Sequence, residues 1–464
     1  MLPQPFDRPK PALAISVRGP FFVAKFLPMH KLNRGDFMRR KSWYFALSCG
    51  AALLWLALSS VLALPWLRYV AGRLPGWYAL LVIMGIALLP GYLMCAMFLS
   101  NLLHARPKPP AGPYREPVTV LICARNEAMG IYRTIAQVAA QGYAGTLEIL
   151  CVDNGSTDGT QEEIRRAMAD LAGPERIIRL LTCEQKGKAN ALNAGLRQVH
   201  TRYLITVDAD TLLDKNAVDR MLRRIHHSGA ACVAGNLLVK DPANAVQKMQ
   251  IYDYLISIAA IKRFQGSYGS TLVAQGAFSA YDTDAVRRAG GWEQCAGEDI
   301  VLTYRLLAQG RKSLYEPAAI GYTEVPHTLG ALCRQRIRWA RGMFDGLRAV
   351  APWGQRSFFG GYFESLNLSI IFLDVAFIFG FWAGVVLLCL GRDWLVGWMT
   401  LWTLPGLAIN GLSVYAFQRR QEGAVIAHSA VGLLCFALVF QTLQSLCSLA
   451  GYAQAALQKP LRWK

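Results

Sequence analysis

The chain has 464 residues, of which 53% are hydrophobic and 17% charged, with 49 Lys and Arg against 30 Asp and Glu and a mean hydropathy of +0.26. Soluble domains carry about 25% charged residues, so this composition argues against an ordinary soluble enzyme, a disordered chain, a collagen and a disulfide scaffold. The net charge of +19 would suit nucleic acid, but no aromatic-basic recognition motif accompanies it. We therefore expect no nucleic-acid partner.

Five apolar stretches are each long enough to cross a bilayer, which takes about 20 residues. They predict two N-terminal and three C-terminal transmembrane helices, at residues 42–67, 74–103, 365–391, 394–418 and 423–458. Asp374 interrupts the third stretch. Because a carboxylate is costly in lipid, Asp374 is expected to face the protein interior or a channel, unless it lies shallow enough to snorkel.

Basic residues predict the orientation of these spans. Nine Lys and Arg residues lie within residues 1–41, and such an arm stays on the cytosolic side, near anionic membrane lipid. Two spans within residues 42–103 then return the chain to the cytosol for residues 104–345. An interfacial connector at 346–364 leads to the spans within 365–458. Five crossings would leave the basic tail at 459–464 outside, so the orientation of the last span stays open.

The region between the spans alternates short apolar runs with helix-like stretches. Strands are predicted at 118–124, 147–152, 177–181 and 203–207, and helices at 128–141, 160–171, 188–199 and 216–227. This alternation predicts an α/β domain with a mostly parallel sheet, inserted between transmembrane helices. Ligands of such sheets bind at the carboxyl ends of the strands.

Polar clusters follow three of the four predicted strands. Asn126 and Glu127 follow the first, Asp153 opens the run D-N-G-S-T-D-G after the second, and Asp208 and Asp210 follow the fourth. The Asp153 run could equally be turn and capping residues. The two carboxylates of D-A-D repel one another unless a cation or donor lies between them, which favours a divalent metal if the chain bends there.

Four further clusters complete the set. Lys188 begins a helix after a glycine, where it suits a phosphate or ribose oxygen, although the sequence is not an ATPase phosphate loop. The remaining candidates lie in the second half of the domain: Gln275 and Gly276, Glu298 and Asp299, and Gln335, Arg338 and Trp339. Asp299 could be only a first-turn acid of a helix, and Arg338 with Trp339 an interfacial anchor. Residues 246–263 are expected to form either an interfacial helix or a core helix.

Taken in order, D-N-G-S-T-D-G-T, G-K-A-x-A-L-N, D-A-D, Q-G, G-E-D and Q-R-I-R-W resemble the processive family-two glycosyltransferases, which include cellulose, chitin and hyaluronan synthases. The stretches A-G-N at 234–236, 252–263 and Q-R-I-R-W-A-R-G are most similar to bacterial poly-β-1,6-N-acetylglucosamine synthases. The resemblance implies a GT-A-like cytosolic domain in a multi-pass protein of the cytoplasmic membrane. It also implies an inverting, metal-dependent enzyme that polymerises a UDP-sugar, best UDP-N-acetylglucosamine, into an exported biofilm exopolysaccharide.

The resemblance implies a role for each matching residue on the donor side. Asp153 would bind the uracil or ribose, and Asp208 would contact the nucleotide and the metal. Asp210 would be the main ligand of Mg²⁺ or Mn²⁺. Three further side chains would lie near the nucleotide: Asn126, Glu127 and Lys188.

On the acceptor side, Asp299 would be the general base, with Glu298 beside it in the substrate site. Gln275 and Gly276 would lie along the growing polysaccharide. The Q-x-x-R-W residues, which grip the diphosphate and the acceptor sugar, would be Gln335, Arg338 and Trp339. A small membrane accessory subunit is expected only from the resemblance.

Two departures from the family pattern lie near the acceptor: Gly297 replaces the first residue of T-E-D, and Gln275 replaces a small residue. They leave the acceptor and the sugar open. Two other functions also stay open. One is transfer of a single sugar to a lipid or lipid-linked acceptor. The other is a transporter or channel with a nucleotide-sensing domain, which would give Asp299 and Trp339 no role.

Overall fold

The computed structural model describes residues 34–104, 112–397, 403–419 and 426–458. Most of the predicted basic arm, residues 1–33, and the basic tail at 459–464 lie outside the described residues. The first helix, α1, covers Arg34–Ala71. A short turn leads to α2 (Gly76–Ile83), a π-helical turn and α3 (Leu89–Leu103), which together form one continuous helix against α1.

The central domain contains eight strands in one sheet. They are β1 (Val118–Ala124), β2 (Leu147–Asp153), β3 (Arg176–Thr182), β4 (Tyr203–Asp208), β5 (Leu212–Leu213), β6 (Cys232–Val239), β7 (Phe278–Asp282) and β8 (Ser313–Thr323). The spatial order is β3-β2-β1-β4-β7-β6-β8-β5. The four predicted strands are β1 to β4, and they pair in parallel. β7 is antiparallel to both neighbours, β6 and β8 are parallel, and β5 is antiparallel to β8, so the sheet is mixed but mostly parallel.

Nine helices belong to the described part of this domain. They are α4 (Ile131–Ala139), α5 (Thr160–Leu171), α6 (Lys188–Gln198), α7 (Ala217–Ser228), α8 (Ala245–Asp253), α9 (Ile261–Ser267), α10 (Thr283–Arg288), α11 (Glu298–Ala308) and α12 (Leu329–Ala349). The helix predicted at 160–171 has the predicted bounds. α4 begins later than predicted because Asn126 takes a left-handed φ of 57° and the following residues form a loop.

Helices cover both faces of the sheet. One apolar core packs α4, α5, α7 and α8 against one face and includes Phe436 and Phe440 from the C-terminal helices. A second core packs α6, α10 and α11 against the other face. This three-layer arrangement leaves the carboxyl ends of β1, β2 and β4 free to form a site.

The C-terminal region is also helical. It contains α13 (Phe358–Ala376), α14 (Ala383–Cys389), α15 (Thr403–Arg419), α16 (Ala430–Cys435) and α17 (Gln441–Ala456). π-helical turns join α13 to α14 and α16 to α17, and a 3₁₀ turn at Pro352–Gly354 precedes α13.

Four helices of the described residues are long and apolar enough to cross a membrane: Lys41–Ala71, Gly76–Leu103, Phe358–Cys389 and Ala430–Ala456. They correspond to four of the five predicted spans, although the third begins at Phe358, inside the predicted connector. The remaining prediction, 394–418, includes α15, whose 17 residues are described. Residues 398–402 of that prediction lie outside the described residues.

Asp374 faces the protein interior, as predicted. Its side chain is 3% exposed and accepts hydrogen bonds from Ser445 Oγ at 2.7 Å and from the Tyr452 hydroxyl at 3.0 Å. Both donors lie on α17, so the carboxylate joins two helices of span length. A buried carboxylate with two donors does not need to reach the membrane surface.

Residues 246–263 form one largely buried helix, as expected for a core helix. α8, a π-helical segment at Tyr254–Ala260 and α9 are continuous, and most of their side chains are buried. This helix runs beneath the sheet and contacts the C-terminal helices. A Cβ added at Gly432 of α16 would lie 2.3 Å from the Lys248 carbonyl oxygen, so the two backbones touch.

Candidate active site

The loops after β1 and β2 lock together at the carboxyl edge of the sheet. The Asn126 N–H donates to Ser156 Oγ at 3.0 Å, and Asn126 Oδ1 accepts from the Thr157 N–H at 2.8 Å. The Glu127 N–H donates to Thr160 Oγ1 at 2.8 Å. These bonds use the Ser and Thr residues of the D-N-G-S-T-D-G-T run, so that run shapes the site as well as ending the strand.

Asp153 lies at the end of β2 and is fully buried. Its carboxylate accepts from Gln161 Nε2 at 2.7 Å and from the Ser156 N–H at 3.3 Å. In this arrangement Asp153 orders the loop that follows β2. Its contact with uracil or ribose stays a prediction.

The D-A-D sequence bends as a metal site requires. β4 ends at Asp208, and the Thr211 N–H donates to the Asp208 carbonyl oxygen at 3.0 Å, which closes a turn over Ala209 and Asp210. Thr134 of α4 donates to the Ala209 carbonyl oxygen at 2.6 Å. The turn lets both carboxylates approach one point, which alternate residues of a straight strand could not do.

Glu127 and Asp210 are partly buried carboxylates with raised pKa values. Burial and the Asp208 carboxylate raise the pKa of Asp210 to about 6. Burial, Asp210 and Asp208 raise the pKa of Glu127 to about 7. Among the described residues no three His, Cys, Asp or Glu side chains form a complete metal site, so a cation here would need ligands from a diphosphate, as Mg²⁺ commonly does.

Lys188 is the central cation of the site. It begins α6, and its Nζ lies 2.6 Å from Asp208 Oδ1 and 3.8 Å from Glu298 Oε1. Burial lowers the pKa of Lys188, but the Asp208 and Glu298 carboxylates outweigh it and hold that pKa above the ordinary value. The residue therefore stays charged and joins the D-A-D turn to the G-E-D sequence.

Asp299 and Glu298 begin α11 and face the Q-G loop. Asp299 Oδ2 accepts from the Gly276 N–H at 3.1 Å, and Oδ1 accepts from the Ile300 N–H at 2.9 Å. A Cβ at Gly276 would lie 3.1 Å from Lys188 Nζ, so glycine keeps this loop close to the lysine. Burial and Asp299 raise the pKa of Glu298 to about 7, while Lys188 and Arg338 act in the opposite direction.

The Q-R-I-R-W residues lie on α12. Gln335, Arg338 and Trp339 fall at i, i+3 and i+4 and so share one face of the helix. Arg338 is exposed, Trp339 is half-buried, and the charge of Arg338 acts on Glu298. Gln335 is half-buried, and its Oε1 has no partner among the described residues.

The departure at Gly297 has a packing reason. A Cβ at Gly297 would lie 2.6 Å from Gly342 Cα, and a Cβ at Gly342 would lie 2.7 Å from Gly297 Cα. The two backbones therefore touch where α12 crosses the start of α11. This contact sets the distance between Asp299 and the Arg338 helix.

The departure at Gln275 also has a structural effect. Its Nε2 donates to the Gly235 carbonyl oxygen at 2.7 Å, which ties the Q-G loop to β6. The Oε1 is buried without a partner among the described residues. Gln275 thus holds the loop that carries Gly276.

The structure brings most of the predicted residues to one place. Charges or hydrogen bonds connect Glu127, Lys188, Asp208, Asp210, Gly276, Glu298, Asp299 and Arg338. Asp153, Asn126 and Gln275 instead hold the surrounding loops.

Sequence reasoning missed a buried ion pair next to this site. Arg336 Nη2 lies 2.5 Å from Asp253 Oδ2, and the side chains are 4% and 1% exposed. The guanidinium also lies over the rings of Trp339, at 4.3 Å, and Phe440, at 5.3 Å. The sequence feature that could have indicated this pair is Arg336 itself, the second residue of Q-R-I-R-W, because it places a charge on the apolar side of α12.

Removal of one partner of this pair is expected to destabilise the protein strongly. The Arg336→Met variant leaves the Asp253 carboxylate buried without a counter-ion, which typically costs about 3–5 kcal/mol. Thermal unfolding in detergent, followed by tryptophan fluorescence, measures the loss. The Asp253→Leu/Arg336→Met double variant should recover much of it, because no uncompensated charge remains.

The matched control is Arg166→Met, at an arginine that pairs with Glu163 and is 62% exposed. An exposed pair is worth about 1 kcal/mol or less. Equal destabilisation by the two arginine variants would contradict the role given to Arg336.

A mostly parallel sheet with helices on both faces, with acidic residues at the strand ends and a lysine between them, is an α/β domain whose polar residues gather where such sheets bind their ligands. Residues 115–342 match the family described as glycosyltransferase like family 2. This central domain therefore belongs to that family, and the predicted resemblance is confirmed for it. The match favours a transferase over the transporter interpretation.

Among curated proteins, the chain is 34% identical over 229 residues to the poly-β-1,6-N-acetyl-D-glucosamine synthase of Staphylococcus aureus, covering 49% of this chain and 54% of that protein. It is 30% identical over 230 residues to the same-named synthase of Staphylococcus epidermidis, with the same coverage. The chain thus spans about half the length of the curated relatives it matches.

Among solved structures, a mannosyltransferase from Pyrobaculum calidifontis in complex with GDP-Man and Mn²⁺ is similar in fold. Its TM-score is 0.54 at 19% identity, and the match covers 91% of this chain and 100% of that one. That likeness supports the GT-A-like fold alone.

Proposed function

We propose that this protein is a membrane-embedded, inverting glycosyltransferase that polymerises N-acetylglucosamine from UDP-N-acetylglucosamine into a β-linked exopolysaccharide. One observation carries the proposal. The Lys188 ammonium group lies between the carboxylates of Asp208, in the D-A-D turn, and Glu298, in the G-E-D sequence. It therefore links the predicted donor site to the sequence that contains the predicted base, Asp299. The similarity to poly-β-1,6-N-acetyl-D-glucosamine synthases supports the choice of sugar.

Asp208 and Asp210 would hold the divalent cation together with the donor diphosphate, with Glu127 near the nucleotide. When bound, such a cation neutralises the negative charge that develops on the departing diphosphate. Burial and the neighbouring carboxylates raise the pKa values of Asp210 and Glu127, and a bound cation would offset the repulsion between these groups. Lys188 and Arg338 would contribute positive charge to the same diphosphate.

Asp299 would accept the proton of the acceptor hydroxyl as that oxygen attacks the anomeric carbon and the bond to UDP breaks. Attack opposite the leaving group inverts an α-linked donor to a β-linkage, as in inverting glycosidases. The Gly276 and Ile300 N–H groups hold the carboxylate in place. Trp339 would stack on an acceptor sugar and keep the hydroxyl in line.

The packing of the domain on the membrane helices supports export of the product. α12, which carries Trp339, lies along α17, where a Cβ at Gly451 would be 2.6 Å from the Ile337 carbonyl oxygen. The acceptor face and the span-length helices therefore form one packed unit. We place the domain in the cytosol and the helices in the cytoplasmic membrane, as the basic arm predicts.

The decisive experiment supplies native membranes, which retain any small accessory subunit, with labelled UDP-N-acetylglucosamine, UDP-glucose or UDP-galactose and Mg²⁺. We expect a high-molecular-weight product from UDP-N-acetylglucosamine alone. Permethylation analysis should give the linkage position, and the anomeric proton coupling in NMR spectra should show that the N-acetylglucosamine is β-linked. Membranes without the protein are the control.

A label that enters only the organic-solvent extract, as one sugar on a lipid, would contradict polymerisation and indicate single transfer. Polymer made from UDP-glucose instead would contradict the assignment of the sugar but keep the reaction class.

A further inference from the structure

Trp339, which would stack on the acceptor sugar, lies at the edge of the buried side of α12. The buried row of that helix repeats every four residues and consists of Leu332, Arg336 and Ala340. Consecutive helix residues point about 100° apart, so Trp339 lies between this row and the exposed Arg338. One side of its indole is therefore turned towards the protein interior, where it packs on the apolar core that contains α8.

The guanidinium group of Arg336 covers one face of that indole. Its central carbon lies 4.3 Å from the centroid of the Trp339 ring and 5.3 Å from the centroid of the Phe440 ring. A guanidinium over an aromatic face is attracted by the ring, and more strongly where water is excluded. The Arg336 side chain is only 4% exposed. The covered face is closed to a ligand, so a sugar could stack only on the opposite face of Trp339.

Asp253 holds the guanidinium in this position. Its Oδ2 lies 2.5 Å from Arg336 Nη2, and its side chain is 1% exposed. Asp253 is the last residue of α8, directly before the π-helical segment Tyr254–Ala260. Such π-helical turns are frequent at functional sites. A planar group that is paired with a buried carboxylate and lies over two rings has little freedom to turn.

Arg336 also lies where three parts of the protein meet. Asp253 belongs to the central domain, Arg336 and Trp339 belong to α12, and Phe440 belongs to the π-helical turn within the span-length helix Ala430–Ala456. The contacts of one guanidinium therefore set the indole relative to both the sheet domain and a helix long enough to cross the membrane.

We propose that Arg336 is a positioning residue for the acceptor, and that its guanidinium fixes the plane of the Trp339 indole on which the terminal sugar stacks. This inference rests on the proposed function. A pair that served stability alone could be replaced by apolar residues without any effect on the acceptor. A pair that orients Trp339 could not, because the indole would lose the group that covers its inner face.

The experiment uses the Asp253→Leu/Arg336→Met double variant, in which no uncompensated buried charge remains. The control is Arg334→Met, at an exposed arginine of the same helix. Turnover is measured in the full-length protein in detergent, with a varied β-1,6-linked N-acetylglucosamine tetrasaccharide at saturating UDP-N-acetylglucosamine. Tetrasaccharide binding in the presence of UDP and the melting temperature are measured separately.

We expect the double variant to unfold near the melting temperature of the parent protein but to bind the tetrasaccharide about threefold to tenfold more weakly, the usual value of one aromatic stacking contact. Its turnover at saturating acceptor should fall about 10-fold or more, because a displaced sugar no longer holds its hydroxyl in line. The donor KM and UDP affinity should stay within about twofold. Arg334→Met should behave as the parent protein.

A second measurement shows whether Arg336 acts through Trp339. Trp339→Ala is introduced into the parent protein and into the double variant. It should weaken tetrasaccharide binding clearly in the parent protein but by less than about twofold in the double variant, because coupled residues do not have additive effects. If the double variant unfolds well below the parent protein, the same comparison uses Arg336→Lys, which keeps the charge opposite Asp253 but not the planar guanidinium.

Two results would overturn the positioning role: parent-like acceptor binding and turnover in the double variant, or an effect of Trp339→Ala that is equally large in both backgrounds. Failure of the proposed function gives a different result, because the parent protein itself would then neither make polymer nor bind the tetrasaccharide.

Discussion

The Asp299→Asn variant is expected to lose polymer synthesis by a factor of about 10²–10⁴, the usual contribution of a general base. Asparagine has the same shape but cannot accept the proton of the acceptor hydroxyl. The carboxylate is already oriented by the Gly276 and Ile300 N–H groups, so its loss should affect chemistry more than folding. Initial rates with labelled UDP-N-acetylglucosamine measure the effect, and UDP binding by calorimetry should remain within about twofold.

The matched control is Asp282→Asn. Asp282 is the N-cap of α10 and accepts a backbone N–H, that of Ala285 at 2.8 Å, and asparagine is an equally good residue for that capping role. This variant should retain full activity.

The neighbouring Glu298 offers a second carboxylate, buried and 3.8 Å from Lys188. Glu298→Gln separates the two candidates. An active Asp299→Asn variant together with an inactive Glu298→Gln variant would contradict the assignment and move the base to Glu298.

The Asp210→Asn variant should lose both activity and metal binding. A metal that stabilises the leaving diphosphate contributes several kcal/mol, which corresponds to about a hundredfold or more in rate. Asp210 is the better of the two D-A-D aspartates to substitute, because Asp208 also forms an ion pair with Lys188 at 2.6 Å and its loss would disturb that pair as well. Mn²⁺ binding in the presence of UDP, followed by electron paramagnetic resonance, gives a readout independent of turnover.

Chelation provides the complementary test. Activity of the parent protein should vanish in EDTA and return with excess Mg²⁺ or Mn²⁺. The control is Asp219→Asn, which removes a carboxylate that pairs with Arg223 on α7, outside the site. Full activity in EDTA, or parent-like Mn²⁺ binding by the Asp210→Asn variant, would show that the metal role is wrong.

The sheet was largely predictable in its first half and not in its second. β1 to β4 are short, mostly apolar runs that alternate with amphipathic helices, and this alternation is typical of the parallel strands of an α/β domain. β7 and β6 pair antiparallel to neighbours distant in sequence, for example Val207 with Phe278. No local pattern in either strand specifies that partner, because pairing across the sheet depends on how the whole chain packs.

The candidate active site was also predictable only in part. The polar residues at the strand ends could be named from their positions after β1, β2 and β4, since the carboxyl ends of parallel strands share one edge. Their contacts could not be named. The 2.6 Å contact between Lys188 and Asp208, and the bond between Gly276 and Asp299, join residues separated by 20 and 23 positions.

By itself, the sequence determined which segments are apolar enough to cross a membrane, which strands begin the sheet and which residues carry chemistry. These properties depend on local composition and periodicity. Only the tertiary structure decided that 246–263 is a buried helix, that Gly297 meets Gly342 and that Arg336 pairs with Asp253. Burial and ion pairing are properties of the surroundings that distant segments create, and a charged residue near the end of an apolar helix looks the same in sequence whether it meets water or a carboxylate.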